Sequence, residues 1–427
     1  MKRLNGIRLP RKKRTEEKPV KPIPLPELVR IPMLMHSGVP CTPVVSEGDL
    51  VTVGQCIGKS ENENSVPIHA SVSGRVTAVS EYRTITGETV PCVEIRSDGE
   101  QLLSDDCNPP KIESREDLIA AAKASGCVGL SGAGDLIFRK LEACKKPKLL
   151  IVNAAECEAY LSADSRIMIE SPDDVIGGIV MLMKLLKIKE TRIGIQTDKP
   201  LARKRLTEAA ADQKGIQICP LPSVYPQGAE KVLIFHTSGI IVPENQTPAD
   251  LDILVLNVST CAFLYRYAQT GIPLIERVVT VDGDPVEKPC NLLVPIGTPV
   301  KELLEYAACQ TDNMKVLLCG GAMMGSKIDP AEAVVVRQQN GLTALKRVST
   351  LRETPCIRCG RCVDACPMNL MPMDLNSAFL RKDPAALQAG HVGLCMNCGC
   401  CSFVCPAHRQ LAEKNQQAKK LLQKEGV

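Results

Sequence analysis

The residues of this chain best suited to chemistry are cysteines, and they come in a repeated order. Between Cys356 and Cys405 the sequence reads CIRCGRCVDACP and then CMNCGCCSFVCP. Each run is C-x2-C-x2-C-x3-C-P, a spacing at which three thiolates wrap one iron–sulfur cubane and the fourth, before Pro, reaches across to another. The spacing predicts one 4Fe–4S cluster on Cys356, Cys359, Cys362 and Cys405, and a second on Cys395, Cys398, Cys401 and Cys366. C-x2-C pairs also serve structural zinc. Zinc ribbons, however, use two pairs separated by a longer loop, without a third Cys after two more residues or a repeated Cys-Pro ending. One-electron transfer is therefore the expected chemistry. Cys400 is a spare thiol in the second run, expected to pack beside the cluster.

Composition narrows what surrounds this motif. At 427 residues the chain exceeds a single core, so two to four domains are expected. An apolar content of 44% with 23% charge is that of a soluble globular protein. Aromatics at 3% leave little surface for stacking on bases, and a net charge of +4 is too small to imply a nucleic-acid partner. Twenty-one cysteines, behind a basic start (MKRLNGIRLPRKKR) that no apolar run follows, point to a reducing compartment where thiolates hold metal. The longest apolar stretch, around Ile176 to Leu186, contains two glycines and Lys184. It falls short of the roughly 20 residues of a membrane span, so no transmembrane segment is expected. Positive charge gathers at Lys2, Arg3, Arg8, Arg11, Lys12, Lys13 and Arg14, and again at Lys414, Lys419, Lys420 and Lys424. These read as a solvated arm and a solvated terminal helix, or as contacts with an anionic membrane face or an acidic protein partner.

The elements that must position the cysteines fall into five stretches. Residues 1–30 are a Pro- and Lys-rich arm, expected to be extended and draped over another domain. Residues 31–105 alternate short β-runs with Gly turns, and VSEGDLVTVGQCIGKS with VPIHASVSGRVTAVSE resembles a barrel-sandwich hybrid. The connecting SENENSVP lacks the central lysine of a swinging-arm domain, and His69 reads as a turn or packing residue. Residues 106–268 alternate helix and strand. Helices are expected at Glu116–Ala124, Pro172–Leu186 and Leu201–Ala211, with a further one opening near Leu136. Strands are expected at Lys148–Asn153, Thr191–Gln196, Ile216–Leu221 and Leu251–Asn257, giving a largely parallel α/β sheet. Residues 269–335 resemble a β-grasp module of the soluble-ligand-binding (SLBB) type, with Asp282-Gly283-Asp284-Pro285 as a hairpin turn. Residues 336–427 hold the cysteine runs and an amphipathic basic helix. The fold class is thus multidomain α/β with a C-terminal two-cluster α domain.

In a parallel sheet, ligands bind beyond the carboxyl ends of the strands. Three loops there could do chemistry. Gly126-Cys-Val-Gly129-Leu-Ser-Gly132-Ala-Gly134 opens a helix, where glycines admit a phosphate and free N–H groups meet it. Asn153-Ala-Ala-Glu156-Cys157-Glu158 follows a strand and offers an amide and two carboxylates to ribityl or ribose hydroxyls. Tyr225-Pro-Gln-Gly228-Ala-Glu230-Lys231 is too polar and Gly-rich for core. Each alone is weak; together they point to a nucleotide-type site.

The order of these strings, with NAAECEAYLSADSR, PLIERVVTVDG, GGAMMG and the paired cysteine runs, resembles the C-subunit family of Rnf ion-translocating ferredoxin:NAD oxidoreductases. The resemblance implies a peripheral protein on the cytoplasmic side of the membrane, in contact with other Rnf-type subunits or a redox partner protein. It also implies a central domain similar to the FMN- and NADH-binding subunit of respiratory complex I. Carried over by position, Gly129, Gly132 and Gly134 match the loop holding the flavin phosphate. Lys140 matches a lysine after it. Asn153, Glu156 and Glu158 match the loop contacting flavin and nicotinamide nucleotide. Tyr225, Gly228 and Glu230 match the loop closing over the nucleotide, and Asn257 and Thr260 the segment near the flavin phosphate.

One departure bears on function. Where the family reads G-G-A-G-F-P-T, this chain has Ser131-Gly-Ala-Gly134-Asp135-Leu136-Ile137. Asp135 replaces a Phe that would stack on the nicotinamide, so NAD(H) binding is expected to suffer most while the flavin site is only weakened, unless Phe138 compensates. The opening G-G-I-H-P of the family is likewise altered, to Asn5-Gly6-Ile7-Arg8-Leu9-Pro10. The expected function is electron transfer between NAD(H), FMN and two 4Fe–4S clusters; no side-chain catalyst is expected. The alternative is a soluble carrier that feeds a dedicated anaerobic reductase without oxidising NADH. A scaffold whose clusters alone conduct is a third.

Overall fold

A computed structural model describes residues 4–10, 12–348 and 351–424. Its central layer is a four-stranded, all-parallel sheet of Leu149–Ala154, Glu190–Gln196, Ile216–Leu221 and Ile253–Asn257. The strand Leu149–Ala154 is apolar on both faces because helices cover both. Its neighbours are Glu190–Gln196 on one side and Ile253–Asn257 on the other, so the strand order reverses beside it. The helix Arg115–Ala124 starts where Ser114 and Asp117 exchange capping hydrogen bonds. The last strand begins later than expected, because Pro248–Leu251 forms a 3-10 turn in front of it. Two helices in stretches read as loop, Ala163–Glu170 and Glu230–Ser238, complete the layers.

Preceding it, the barrel-type domain pairs Leu28–Pro32, Thr89–Ser97, Gly74–Arg83 and Leu50–Val51 in one sheet, and Thr42–Pro43, Cys56–Lys59 and Ile68–His69 in another. His69 is buried in the second sheet. One apolar core runs from Ile31, Ile57 and Ile95 here into Leu136, Val152 and Ile193 of the α/β layer. The two domains are therefore fused through their interiors.

The β-grasp sheet crosses the expected boundaries. Its six strands are Val20–Pro22, Cys290–Pro295, Glu276–Gly283, Gly341–Leu345, Val316–Cys319 and Ser326–Ile328. The first comes from the expected arm and the fourth from the stretch assigned to the cluster domain. The arm is thus held as a strand, parallel to Cys290–Pro295. Nor is all of its charge solvated. Arg14 Nη2 lies 2.7 Å from buried Asp282 Oδ1, and the Arg14 N–H donates to Oδ2 at 3.0 Å. Lys13 is buried and donates to the Glu156 carbonyl at 2.7 Å. Lys2, Arg3 and Arg11 lie outside the described residues.

The C-terminal domain is small and helical, with Leu370, Leu375, Ala378, Leu387 and Ala418 at its core and the helix Leu411–Lys424 packed across it. Among the described residues no helix is long and apolar enough to cross a membrane.

Candidate functional site

The register of the parallel sheet sets Asn153 opposite Asn257 at the carboxyl ends of neighbouring strands, where the strand order reverses. A cleft of about 660 Å³ opens there, within the range of roughly 300–1,000 Å³ typical of small-molecule sites. Its walls include Ser131, Ala133 and Asp135 of the glycine loop, Lys140 of the helix Ile137–Ala143, and Gly228 and Glu230.

The loop is pinned on three sides. The Gly129 N–H donates to the Asp135 carbonyl at 2.8 Å and the Gly134 N–H to the Gly129 carbonyl at 3.3 Å, folding it on itself. The Leu130 N–H donates to Thr260 Oγ1 at 3.4 Å. From the barrel domain, Ser37 donates its N–H to the Gly134 carbonyl at 2.9 Å and its hydroxyl to the Ala133 carbonyl at 3.2 Å. At Gly132 φ is +111°, a conformation other residues rarely hold. The helix behind the loop starts at Leu136 without a side-chain cap. Glycine loop, uncapped helix start and Lys140 fit a phosphate, and the cleft has room for a flavin. Ser37 escaped the sequence reading because it lies in another domain with no motif around it.

Lys140 is not free. Its Nζ lies 2.9 Å from Glu230 Oε1 and 3.7 Å from Asp135 Oδ2, so one ammonium is shared by two carboxylates. Phe138 does not replace the missing aromatic. It is buried in the core, beneath Lys123 and Arg139 at 5.3 and 5.1 Å.

Glu156, Glu158 and Tyr225, expected at the flavin or the nucleotide, and Gly129, Gly132, Gly134 and Thr260, expected near the flavin phosphate, are not among the cleft-lining residues. Thr260 is buried and acts on the loop through Leu130. Glu156 accepts from the Asp164 and Ser165 N–H groups at 3.0 and 3.3 Å and from Ser165 Oγ at 2.6 Å, so its carboxylate caps the helix Ala163–Glu170. Around it lie Lys13 and Lys199. Burial pulls the Lys13 pKa down to about 8 against the attraction of Glu156. Burial also opposes the charge on Lys199, but Glu156 and Glu16 outweigh it and raise its pKa. Asp164 receives hydrogen bonds from Asn257 Nδ2 at 2.8 Å and from Ser259 Oγ. Burial, with Glu156 beside it, raises the Asp164 pKa to about 6. A buried charge network thus supports the cleft floor through Asn257.

Glu158 accepts from the Met323 and Met324 N–H groups at 3.0 and 2.9 Å, fastening the β-grasp loop Gly320–Gly325. A Cβ on Gly321 would overlap the Glu158 carboxylate, so that close approach requires glycine. Burial raises the Glu158 pKa, with the two N–H groups opposing it.

Tyr225 is almost wholly buried, at the meeting of the α/β and cysteine-rich domains. Its hydroxyl donates to the Cys398 carbonyl at 2.7 Å, and Cys400 Sγ approaches the Tyr225 carbonyl at 3.8 Å. Ile7 of the arm exchanges both backbone hydrogen bonds with Tyr225 at 2.9 Å. Ile7, Tyr225, Cys398, Cys400, Cys157 and Met323 share one apolar cluster. Arm, sheet domain, β-grasp loop and cysteine domain all converge there.

The cysteine runs repeat in backbone as in sequence. Arg358 and Asn397 have φ of +52° and +56°, Gly360 and Gly399 +77° and +78°, and Asn369 and His408 +54° and +52°. These turns aim N–H groups at sulfur, as Arg358 does at Cys356 Sγ and Leu370 at Cys366 Sγ, both at 3.4 Å. Cys366, Cys395, Cys398 and Cys401 line one small cavity, which Cys400 also borders. In the other group Cys356 and Cys359 are exposed, while Cys362 and Cys405 are half-buried. Among the described residues no three His, Cys, Asp or Glu side chains converge as a single-ion site would require. The four thiols around this cavity, with the Leu370 N–H aimed at Cys366, fit a cubane.

Comparison with known proteins gives matches along the chain in the same order. Residues 2–100 match the RnfC barrel sandwich hybrid domain and residues 122–266 the Nuo51 FMN-binding domain. Residues 278–327 match the SLBB domain and residues 355–408 the 4Fe-4S dicluster domain. The chain therefore carries a flavin domain and an iron–sulfur domain. The C subunit of the proton-translocating ferredoxin:NAD(+) oxidoreductase complex of Clostridium ljungdahlii is 36% identical over 373 residues, 86% of this chain and 81% of that protein. The C subunit of the ion-translocating oxidoreductase complex of Rhodobacter capsulatus is 37% identical over 382 residues, 86% of this chain and 73% of that one. Its counterpart in the Na(+)-translocating ferredoxin:NAD(+) oxidoreductase complex of Acetobacterium woodii is 36% identical over 378 residues, 87% and 85% of the two chains. With relatives this similar over most of both lengths, and with all four domains in register, the chain belongs to the RnfC family, the C subunits of ion-translocating oxidoreductase complexes.

Proposed function

We propose that this chain is the electron-transfer subunit of an Rnf-type ferredoxin:NAD oxidoreductase complex, passing electrons between FMN and two 4Fe–4S clusters and onward to other subunits. The observation that carries the reading is the Tyr225 junction, where Cys398 and Cys400 pack against the flavin domain. When bound, FMN converts paired electrons into single ones and the cubanes conduct them. The side chains position these groups. Lys140 and the glycine loop would hold the phosphate, and Asn153 with Asn257 shapes the floor. Cys366, Cys395, Cys398 and Cys401 would hold the cluster nearer the flavin. Cys356, Cys359, Cys362 and Cys405 would hold the outer one. Attachment to a membrane would then be peripheral, through neighbouring proteins of the complex.

The test is anaerobic purification of the full chain with assay of flavin and iron, followed by titration with NADH. About eight irons and one flavin per chain, with flavin bleaching by NADH, are expected. Zinc in place of iron would end the electron-transfer account. Asp135 beside Lys140 favours a second reading, a soluble carrier feeding a dedicated anaerobic reductase. Intact flavin and clusters that millimolar NADH leaves oxidised would select it.

A further inference from the structure

The two groups of thiols differ in access. Cys366, Cys398 and Cys401 are buried, whereas every residue from 351 to 361 is exposed, Cys356 and Cys359 among them. The exposed stretch is nevertheless anchored. The Thr354 N–H donates to the Ala407 carbonyl at 3.0 Å, and Arg409 Nη1 donates to the Thr354 carbonyl at 3.1 Å. Lys414 Nζ and the Gln410 N–H hold the Glu353 carboxylate at 2.7 and 2.8 Å. On this fixed loop Leu351 is 63% and Ile357 67% exposed. Arg352, Arg358 and Arg361 are also exposed, and among the described residues none of them has an ion-pair partner. With Glu353 occupied, Asp364 is the one acid between 351 and 364 left to offset three guanidinium groups.

Apolar side chains and unpaired arginines around an electron-transfer group are the composition of a transient protein interface, where charge steers encounter. A lipid surface would match the charge but could exchange no electron. We propose that the face formed by Leu351, Arg352, Ile357, Arg358 and Arg361 docks an acidic one-electron carrier protein beside the cluster of Cys356 and Cys359. The inference rests on the cluster reading above. In the exchange one electron leaves the carrier's reduced iron centre and enters this cluster, with no bond or proton transferred.

The test mixes a reduced acidic bacterial ferredoxin with the oxidised, cluster-loaded full chain in a stopped-flow instrument. The second-order rate should fall steeply with added salt. The R358E/R361E double variant should lower it about tenfold at low salt, and R352E, outside the ligand run, about threefold. Reduction by photoexcited deazaflavin should be unchanged in R352E. A salt-independent rate would overturn the proposal. So would variants that transfer at the wild-type rate, including variants that lose only binding to anionic vesicles. Wild-type protein that shows no 4Fe–4S signal in its electron paramagnetic resonance spectrum after reduction with dithionite would instead overturn the cluster reading.

Discussion

Replacing Asp135 by Phe tests whether the chain has lost its grip on NADH. Asp135 lines the cleft and its Oδ2 lies 3.7 Å from Lys140 Nζ, with half its side chain in solvent. An exposed pair of this kind contributes only about 0–1 kcal/mol. Lys140 would also keep Glu230 at 2.9 Å. The substitution should therefore leave stability within about 1 kcal/mol of wild type. The gain should be larger. An aromatic face under the nicotinamide is worth about 1–3 kcal/mol, by analogy with base stacking, or roughly tenfold to a hundredfold in affinity. Asp135→Asn keeps the shape, removes the charge and adds no stacking face, so its gain should be smaller. The assay is an anaerobic NADH titration of flavin-loaded protein, read from flavin absorbance. Unchanged affinity in a folded, flavin-loaded Asp135→Phe variant would refute placement of this residue at the nicotinamide.

Tyr225→Phe strips the donor from the Cys398 carbonyl and should cost about 1–3 kcal/mol, loosening the cysteine domain from the sheet domain. Faster hydrogen exchange at residues 395–401, with iron content unchanged, would show this. Cys398→Ala should lose about four irons while Cys400→Ala keeps its full complement, as iron analysis would reveal. Asp164 supplies a pH signature. Its folded pKa of about 6 lies above the ordinary carboxylate value, so the folded state binds this proton more tightly. The stability it contributes is complete below about pH 4 and lost as pH rises through about 6. Urea melts of wild type against Asp164→Asn between pH 5 and 7 should diverge accordingly; parallel curves would contradict the assignment.

Much was legible in the sequence because it depends on local spacing. The C-x2-C-x2-C-x3-C-P runs point to three thiols of each expected set without knowledge of the fold, since turns that short bring their own sulfurs together, while the fourth must come from the other run. The apolar run at Leu149–Ala154 and the glycine loop before it likewise announce a parallel strand and a crevice. Which acid faces the crevice was not legible. Glu156 and Glu158 stand two residues apart in one loop, yet the first caps a helix and the second holds Met323 and Met324. Tyr225 sits in a loop that reads as a nucleotide lid but is committed to Cys398, 173 residues away. Lys13 and Arg14 look like solvent charges until the fold supplies Glu156 and Asp282. Short-range geometry is written in residue order because few backbone torsions separate the partners. The partner of a long side chain is settled only when distant segments pack, since burial then forces each polar group to find its match.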